Sequence, residues 1–288
     1  MRLGIAVNSR LCMACYCCFM ACKDEHCGFA SKLSAAQPMM GQKWIDINEW
    51  ERGDDSRRIK TASVATLCAH CQDPACAKAG TDGAVYKRPD GIVIIDPEKS
   101  KGQKAIADAC PIGAVSWNEE LEIPQKCTMC AELLDDPDYL AYLGDPALKV
   151  PRCVEACPNE ALIFGDLDDP NSEISKLVAE NRNTQLELLA GQETNVKWLN
   201  VPTVFLAGTV YQPKETEEVL IGAKVKLTCE TGETWEAETN YFGDWEVEWL
   251  PKNKKIDIEI TADGYKPVTY SAVTDADHYV DMTYMARA

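Results

Sequence analysis

In the last third of the chain, hydrophobic and polar residues alternate with a period of two. The alternation is clearest in the segments 225–229, 235–239 and 256–260. Such a period places the apolar side chains on one face of a β-strand. Glycines mark the turns between these segments: Gly208, Gly222, Gly232, Gly243 and Gly264. The pattern predicts several short strands over residues 201–288, arranged as a β-sandwich or a barrel.

A helical pattern precedes this region. Residues 171–190 are predicted to form an amphipathic helix, with Asn171 or Ser172 as its N-cap. Three apolar residues fall on one face of that helix: Ile174, Leu177 and Val178. We expect this face to pack on the helix's own domain.

Two segments in the first half of the chain share one short pattern. The Cys-Pro pairs at Cys110 and Cys157 are each followed by small residues and an apolar strand signal, PIGAVSW and PNEALIF. The repetition indicates an internal duplication. Residues 28–67 form an insertion, in which the run GQKWIDINEWERG predicts an extended strand.

Composition narrows the class of protein. A chain of 288 residues with 46% hydrophobic content can form one large or two ordinary packed domains. The net charge of −17 argues against binding to nucleic acid or to an anionic membrane surface, and indicates a solvated acidic surface. No run of eighteen apolar residues occurs, so no direct membrane insertion is expected. The start, MRLGIAVNSRLC, does not have the pattern of a signal peptide.

The cysteines carry the candidate chemistry. Only one of the fifteen, Cys229, follows residue 157, which is unlike a secreted disulfide scaffold. The others include four groups: Cys12, Cys15, Cys18 and Cys22; Cys68, Cys71 and Cys76; Cys110; and Cys127, Cys130, Cys153 and Cys157. The C-x2-C-x2-C-x3-C run of the first group is typical of [4Fe–4S] ligation. Because thiolate ligands must be reduced at assembly, we expect a cytoplasmic protein and leave export with a partner open.

The gaps in these groups are as informative as the cysteines. In tandem ferredoxin runs, the fourth cysteine of one run ligates the cluster of the other run. Pairing the outer groups and the inner groups then gives three ligand sets: Cys12, Cys15, Cys18 and Cys157 (cluster 1); Cys22, Cys127, Cys130 and Cys153 (cluster 2); Cys68, Cys71, Cys76 and Cys110 (cluster 3). The fourth set would be Gly80, Ser100, Gln103 and Ile106. Since none of these is cysteine, the sequence predicts three [4Fe–4S] clusters and one site lost as a whole.

Alternative roles exist for several of these residues. The cysteines of the fourth group, taken alone, would also fit a zinc ribbon, but the complete ferredoxin run beside them favours iron. Three cysteines are expected not to be ligands: Cys17, Cys27 and Cys229. His26 and His70 lie near ligand cysteines in sequence, where histidines donate hydrogen bonds more often than they ligate. No catalytic residue is predicted in this chain.

The cysteine pattern resembles the iron–sulfur subunit of the dimethyl-sulfoxide-reductase superfamily of molybdenum or tungsten enzymes. The order, spacing and pairing of the groups match that family over residues 1–200. The lost cluster, the appended β domain and four sequence runs narrow the resemblance to the small subunits of pyrogallol–phloroglucinol transhydroxylases and related catechol dehydroxylases. These runs are CFMACKDEH, DGAVYKRPDGIVIIDPEKSKG, SWNEE and QKCTMCAELLDD. The pattern after residue 200 resembles prealbumin-like β domains.

The resemblance implies an α+β chain. A duplicated bacterial-ferredoxin-like domain would cover residues 1–200, including a C-terminal helix and linker. A prealbumin-like or Ig-like sandwich would cover residues 201–288. It also implies a heterodimer with a large subunit that carries bis-molybdopterin guanine dinucleotide with Mo or W. In the family, cluster 1 lies nearest that subunit, and the cluster lost here is the one that hands electrons to a membrane partner.

We therefore expect a non-catalytic electron-transfer subunit of an enzyme acting on pyrogallol- or catechol-type aromatics. Two other functions stay open. The chain also fits the electron-transfer subunit of a reductase for an oxyanion or sulfur compound, which a co-purifying membrane subunit would favour. It also fits a structural scaffold stapled by clusters, which clusters that resist reduction would favour.

Overall fold

The computed structural model describes residues 1–53, 59–139, 149–184, 186–216, 218–280 and 282–288. These residues form two compact units, which are Met1–Glu49 with Ser63–Val201, and Trp50–Ala62 with Pro202–Ala288. The second unit is thus built from two separate stretches of the chain. Short helices and strands alternate in the first unit and strands dominate the second, so the α+β class is confirmed.

The elements before residue 202 are short. In chain order they include β1 (Leu3–Asn8), α1 (Cys17–His26), β2 (Ile45–Arg52), β3 (Lys60–Leu67), α2 (Ala75–Ala79), β4 (Val85–Lys87), β5 (Val93–Ile95), α3 (Ala105–Asp108), β6 (Ser116–Asn118), β7 (Ile123–Gln125), α4 (Ala131–Leu134), α5 (Arg152–Glu155), β8 (Leu162–Asp166), α6 (Glu173–Glu180), a 3-10 turn (Glu187–Leu189) and β9 (Val196–Leu199). The cysteine groups lie in the connections between these elements and in the short helices, where α1 holds Cys18 and Cys22, α2 holds Cys76 and α5 holds Cys153.

A three-stranded sheet organises the first unit. Its central strand β1 pairs antiparallel with β8 and parallel with β9. Ile5 and Val7 of β1 are fully buried, because a central strand covered on both faces needs apolar side chains there. They belong to the same core as several of the ligand cysteines, so the sheet and the cysteine loops are packed as one body.

The structure repeats one local arrangement after each Cys-Pro pair. The strand predicted after Cys110 is β6, and the strand predicted after Cys157 is β8. The residue three positions beyond each cysteine has a left-handed backbone, with φ 63° at Gly113 and 52° at Glu160. The same turn therefore leads into both strands, as expected for a duplicated unit.

The helix predicted over residues 171–190 is shorter than expected. Ser172 is its N-cap and accepts a hydrogen bond from the backbone N–H of Ser175 at 3.2 Å, and the helix α6 ends at Glu180. The prediction that the helix continues beyond Glu180 was wrong for the described residues of 181–190, where only the 3-10 turn Glu187–Leu189 is helical; residue 185 lies outside the described residues. Asn181 is extended, and its side-chain oxygen accepts a hydrogen bond from Asn200 at 2.8 Å, so a distant contact ends the helix. The predicted face is confirmed, since Ile174 is buried with Leu177 and Val178 against it.

No helix in the described ranges combines the length and the apolar character that crossing a bilayer requires.

The strand predicted in the insertion 28–67 is β2, and it forms a two-stranded hairpin with β3. The end of this hairpin, residues 50–62, belongs to the second unit. The contacts of Arg52 give the physical reason why residues 50–62 belong to the second unit. Its side chain is only 4% exposed, and its guanidinium forms a bidentate pair with Asp277, with both N–O distances at 2.9 Å.

The second unit contains two sheets. Its strands are β10 (Val204–Tyr211), β11 (Lys224–Cys229), β12 (Thr234–Glu238), β13 (Asp244–Leu250), β14 (Lys255–Thr261), β15 (Val268–Val273), β16 (His278–Tyr279) and β17 (Thr283–Tyr284). One sheet has the antiparallel order β12-β11-β14-β15. The other has β10 between β13 and β16, with β17 also paired to β10.

The period-two segments of the sequence correspond to β11, β12 and β14. Alternate residues of β14 are buried, and they share one core with residues of β10 and β13 from the other sheet. Two sheets around one core are the sandwich arrangement that the alternation predicts. The prealbumin-like topology stays a prediction.

Candidate iron–sulfur site

All the predicted ligand cysteines lie in the first unit as free thiols. Seven of them are buried: Cys18, Cys22, Cys68, Cys76, Cys127, Cys130 and Cys153. Four are partly buried, namely Cys12, Cys71, Cys110 and Cys157, while Cys15 is exposed. Seven buried free thiols in one unit need a common explanation, because small core hydrophobes would not all have to be cysteine.

The most deeply buried group contains Cys22, Cys127, Cys130 and Cys153. Burial, followed by the nearby charges of Cys127 and Cys130, raises the pKa of Cys22 well above its usual value. Burial and then the charges of Cys127 and Cys22 raise the pKa of Cys153 in the same way. Without a cation these thiols would stay protonated, whereas a bound metal ion deprotonates a coordinating thiol. The donor set therefore suits a metal centre.

A second group lies around Cys68 and Cys71. Burial raises the pKa of Cys71 to about 11, with further contributions from the charges of Cys68 and Cys110. Burial and then Cys68 raise the pKa of Cys76 to about 11. These four cysteines line one small cavity, whose other walls are mainly apolar.

The third group joins the two ends of the cysteine-rich region. Burial raises the pKa of Cys18 to about 12, and the charges of Cys12, Cys157 and Cys15 add to the rise. Cys157 thus lies beside the first run, although its own run contains Cys153. The thiols with the largest effects on the pKa of Cys153 are Cys127 and Cys22, whereas Cys157 acts on the pKa of Cys18. This difference favours iron–sulfur sets over the zinc-ribbon alternative.

The loops between these cysteines have a strained backbone. Ala14, Tyr16, His70 and Met129 have φ of 53°, 61°, 44° and 58°. A left-handed conformation costs a non-glycine residue roughly 1–2 kcal/mol, so surrounding structure must hold it in place. Backbone strain of this kind concentrates at functional sites. Here the left-handed residues bend each loop, so that the chain curves around its cysteines.

Backbone amides face some of the sulfurs. Ala114 N–H donates to Cys110 Sγ at 3.3 Å, and Ala161 N–H donates to Cys157 Sγ at 3.2 Å. Both donors lie four residues after the cysteine, which is a further trace of the duplication. Hydrogen bonds to the ligand sulfurs influence the reduction potential of a cluster.

His26 lies against Cys130 of the fourth cysteine group. It is buried, with Nε2 3.6 Å from Cys130 Sγ and Nδ1 3.2 Å from a carboxylate oxygen of Glu132. His26, Cys130 and Glu132 each offer one ligand atom, and these three atoms lie within 4.8 Å of one another. A single metal ion could therefore contact all three. Because Cys130 already belongs to the buried thiol group, the imidazole is better placed as a hydrogen-bonding neighbour of that group.

Lys126 is a site residue that the sequence analysis missed. Its side chain is buried, and Nζ donates to the carbonyl oxygens of Val93 and Cys127, the latter at 3.0 Å. Among the described residues, no carboxylate lies within salt-bridge distance of this ammonium group. Its charge lowers the pKa of the thiols of Cys71 and Cys76, against the larger effect of burial. Lys126 follows the buried strand β7 directly, but this burial is seen in the structure and is not marked by a periodic pattern in the sequence.

The positions of the lost ligand set are filled by the protein itself. Ile106 and Ser100 are fully buried, and Ile106 belongs to a hydrophobic cluster with Cys76, Val85 and Val115. Gln103 is engaged with backbone, because its side chain accepts from Thr81 N–H at 2.8 Å and donates to Lys99 O at 2.7 Å. The space is packed as core.

The remaining cysteines have other surroundings. Cys17 is exposed, and a hydrogen bond with Cys15 raises its pKa. Cys27 Sγ lies 3.6 Å from Met39 Sδ. Cys229 is buried in the core of the second unit, as a small apolar residue would be.

Comparisons with known proteins also lead to iron–sulfur proteins. A family model described as a 4Fe-4S dicluster domain matches residues 59–167. The chain is 36% identical over 285 residues to the pyrogallol hydroxytransferase small subunit of Pelobacter acidigallici, covering 98% of this chain and 97% of that protein. It is 32% identical to a sulfite dehydrogenase subunit of Allochromatium vinosum, covering 64% and 77%. It is 28% identical to a tetrathionate reductase subunit of Salmonella typhimurium, covering 63% and 65%.

Proposed function

Because the chain belongs to the family of iron–sulfur electron-transfer subunits of molybdopterin oxidoreductases, we propose that it serves a catalytic subunit acting on polyhydroxylated aromatics. The supporting observation is the full-length similarity to the pyrogallol hydroxytransferase small subunit, which includes the second unit. The sulfite dehydrogenase and tetrathionate reductase subunits are similar over only 64% and 63% of the chain. The chain itself has no catalytic role in this proposal.

The proposed ligands are the three sets predicted from the sequence. Cluster 1 is held by Cys12, Cys15, Cys18 and Cys157, cluster 2 by Cys22, Cys127, Cys130 and Cys153, and cluster 3 by Cys68, Cys71, Cys76 and Cys110. The thiols with the largest effects on the pKa values of Cys18, Cys22 and Cys76 belong to the same proposed set as each of these cysteines, which supports the grouping. For Cys127 the thiol effect comes from Cys68 of another set. When bound, each cluster accepts and returns one electron, and the all-thiolate donor set fits it.

The charges of thiols in one set affect the pKa values of thiols in another set, and these effects support a linear order of the three clusters. The charge of Cys18 also raises the pKa of Cys153, and the charge of Cys68 raises the pKa of Cys127. Cluster 2 would therefore lie between clusters 1 and 3. The relay would end at cluster 3, because the packed residues around Ile106 stand where a further cluster would continue it.

The loop of the first run is suited to a partner. Met13 and Met20 are 62% and 61% exposed on either side of Cys15, and Leu11 is exposed next to Cys12. Met20 lies on helix α1, which follows the loop directly. Exposed apolar side chains gathered around one loop favour protein contact. We propose that this loop faces the large subunit, which would carry bis-molybdopterin guanine dinucleotide with Mo or W.

The short relay has a consequence for the reaction. A chain that feeds a membrane pool needs clusters up to its far edge, and this one would lack the last cluster. Electrons would then stay within the complex or come from a soluble donor. That suits hydroxyl transfer, which is redox-neutral overall, or reductive dehydroxylation. The second unit, proposed to be a prealbumin-like sandwich, would brace the complex.

The test is an assay of the natively purified complex after its partner has been identified by mass spectrometry. One arm offers pyrogallol and catechol-type substrates, and the other offers a sulfoxide, tetrathionate or an oxyanion with a quinol donor. We expect turnover in the first arm only. Turnover in the second arm alone would overturn the proposal in favour of an oxyanion or sulfur-compound reductase.

A further inference from the structure

His70 is enclosed at the third cysteine group. It lies between Cys68 and Cys71 in the sequence, its side chain is fully buried, and its backbone is left-handed with φ 44°. The residue lines the small cavity that Cys68, Cys71, Cys76 and Cys110 also line. The imidazole is thus held at the position of a proposed cluster by a strained loop.

A backbone hydrogen bond determines the tautomer of this ring. The N–H of Val93 donates to Nδ1 of His70 at 3.0 Å. A backbone amide can only donate, so Nδ1 is the accepting nitrogen and carries no proton. The proton of the neutral imidazole is therefore on Nε2.

The Nε2–H group has no protein partner. Nε2 is buried and forms no hydrogen bond with any atom of the described residues. A buried donor without an acceptor is costly, and most are satisfied in native proteins. A water molecule would need two to four polar neighbours. Apart from thiols and the imidazole, the cavity walls consist mainly of side chains such as Val93, Ile112, Val115 and Leu189.

We propose that Nε2–H of His70 donates a hydrogen bond to a sulfur of cluster 3, and so raises the reduction potential of this cluster. The inference rests on the proposed ligand set of cluster 3. A hydrogen bond to a cluster sulfur stabilises the more negative, reduced state and raises the reduction potential. His70 is a positioning and tuning residue here, and not a ligand.

The first test compares two variants, His70→Leu and His70→Gln, in the cluster-loaded complex. Both carry the same cost of a left-handed backbone, but only the glutamine amide can still donate. We expect His70→Leu to shift the reduction equilibrium of cluster 3 about tenfold toward the oxidised state, or about 59 mV for one electron. His70→Gln should recover part of the shift, and clusters 1 and 2 should not change. Equal potentials in native protein and His70→Leu would overturn the proposal.

The second test needs no variant at position 70 to fold. The chain has three histidines, His26, His70 and His278, so labelling with ¹⁵N-histidine places few nuclei near the clusters. Pulsed electron paramagnetic resonance of the reduced complex should detect a weak ¹⁵N coupling on the cluster 3 signal, and the coupling should persist in His26→Gln. Absence of this coupling in native protein would also overturn the proposal.

A further variant separates this inference from the ligand assignment. Cys110→Ala should remove the signal that carries the ¹⁵N coupling. If Cys110→Ala leaves every cluster signal and the iron content unchanged, the ligand set itself is wrong and the inference fails with it. If Cys110→Ala removes one signal that shows neither coupling nor a shift in His70→Leu, the ligand set stands and only the role of His70 is wrong.

Discussion

Ile106 packs directly against Gly80. A Cβ atom built on Gly80 would lie 3.2 Å from Ile106 Cδ1 and 3.4 Å from Val85 Cγ2. The two positions belong to the predicted fourth ligand set, which has no cysteine. The place expected for a fourth cluster is thus taken by a close contact between a glycine and a buried aliphatic side chain. A [4Fe–4S] cluster could occupy that space only if some of these core side chains were removed.

Iron content tests this conclusion. We expect about twelve iron atoms and an equal amount of acid-labile sulfide per chain, since three cubanes contain four irons each. Zinc should be absent, because Cys153 and Cys157 are assigned to different proposed ligand sets, as the pKa effects among these thiols favour. Metal analysis of the anaerobically purified complex measures both. A content of about sixteen irons, or one zinc in place of four irons, would contradict the three-cluster assignment.

Replacement of Cys157 tests the exchange of ligands between runs. We expect Cys157→Ala to lose cluster 1, with the iron content falling by about four atoms, while the cluster held by Cys127, Cys130 and Cys153 remains. Cys17→Ala is the matched control, because Cys17 lies beside the same thiols without being a proposed ligand. Loss of a cluster in the control, or loss of cluster 2 in Cys157→Ala, would show that the register is wrong.

The buried ammonium group of Lys126 should tune two clusters. Its charge lowers the pKa of Cys71, Cys76 and Cys127, which are proposed ligands of clusters 3 and 2. Lys126→Met should therefore lower both potentials, by an amount on the order of tens of millivolts. Redox titration followed by electron paramagnetic resonance measures the shift.

Lys78→Met is the control for that experiment. Lys78 lies two residues from Cys76, but its side chain is exposed and paired with Asp73. Solvent screens such a charge, so the potentials should be nearly unchanged. A shift as large as that of Lys126→Met would mean that burial does not matter for this effect.

The pair of Arg52 and Asp277 should stabilise the second unit. The same carboxylate accepts a hydrogen bond from Phe205 N–H at 2.8 Å, and Arg52 also donates to Thr203 O at 2.6 Å. Removing one member of a buried pair costs about 3–5 kcal/mol. We expect Arg52→Met to lower the free energy of opening of β10 by about that amount, as measured by hydrogen–deuterium exchange of its amides.

Lys254→Met provides the comparison for Arg52→Met. Lys254 and Glu230 form an ion pair in the same unit with side chains 40% and 49% exposed, and pairs of this kind contribute roughly 0–1 kcal/mol. If the β10 amides lose equal protection from hydrogen–deuterium exchange in both variants, the buried guanidinium has no special role.

Local sequence patterns account for the features that were predicted. The spacing of Cys12, Cys15 and Cys18 is a property of one short loop, and the alternation that indicated β11 and β14 needs only a sheet with one buried face. Ser172 is recognisable as an N-cap because the hydrogen bond it accepts comes from three residues away.

Long-range contacts account for what was missed. Helix α6 ends where Asn200 donates to Asn181, and the two lie 19 positions apart. The role of Arg52 depends on a carboxylate 225 residues later. The tautomer of His70 depends on the backbone of Val93, on a strand that follows it by 23 residues. None of these partners leaves a periodic signal at the residue it acts on.

Residues 50–62 of the hairpin belong to the same unit as residues 202–288. A recombination with a relative therefore cannot exchange residues 202–288 alone. A recombination that replaced only residues 202–288 would remove Asp277 and leave the guanidinium of Arg52 buried without a counter-ion. A viable hybrid would also need the matching hairpin, which is encoded between the first and second cysteine groups. The two stretches are therefore expected to be inherited together, and substitutions in one should be accompanied by compensating substitutions in the other.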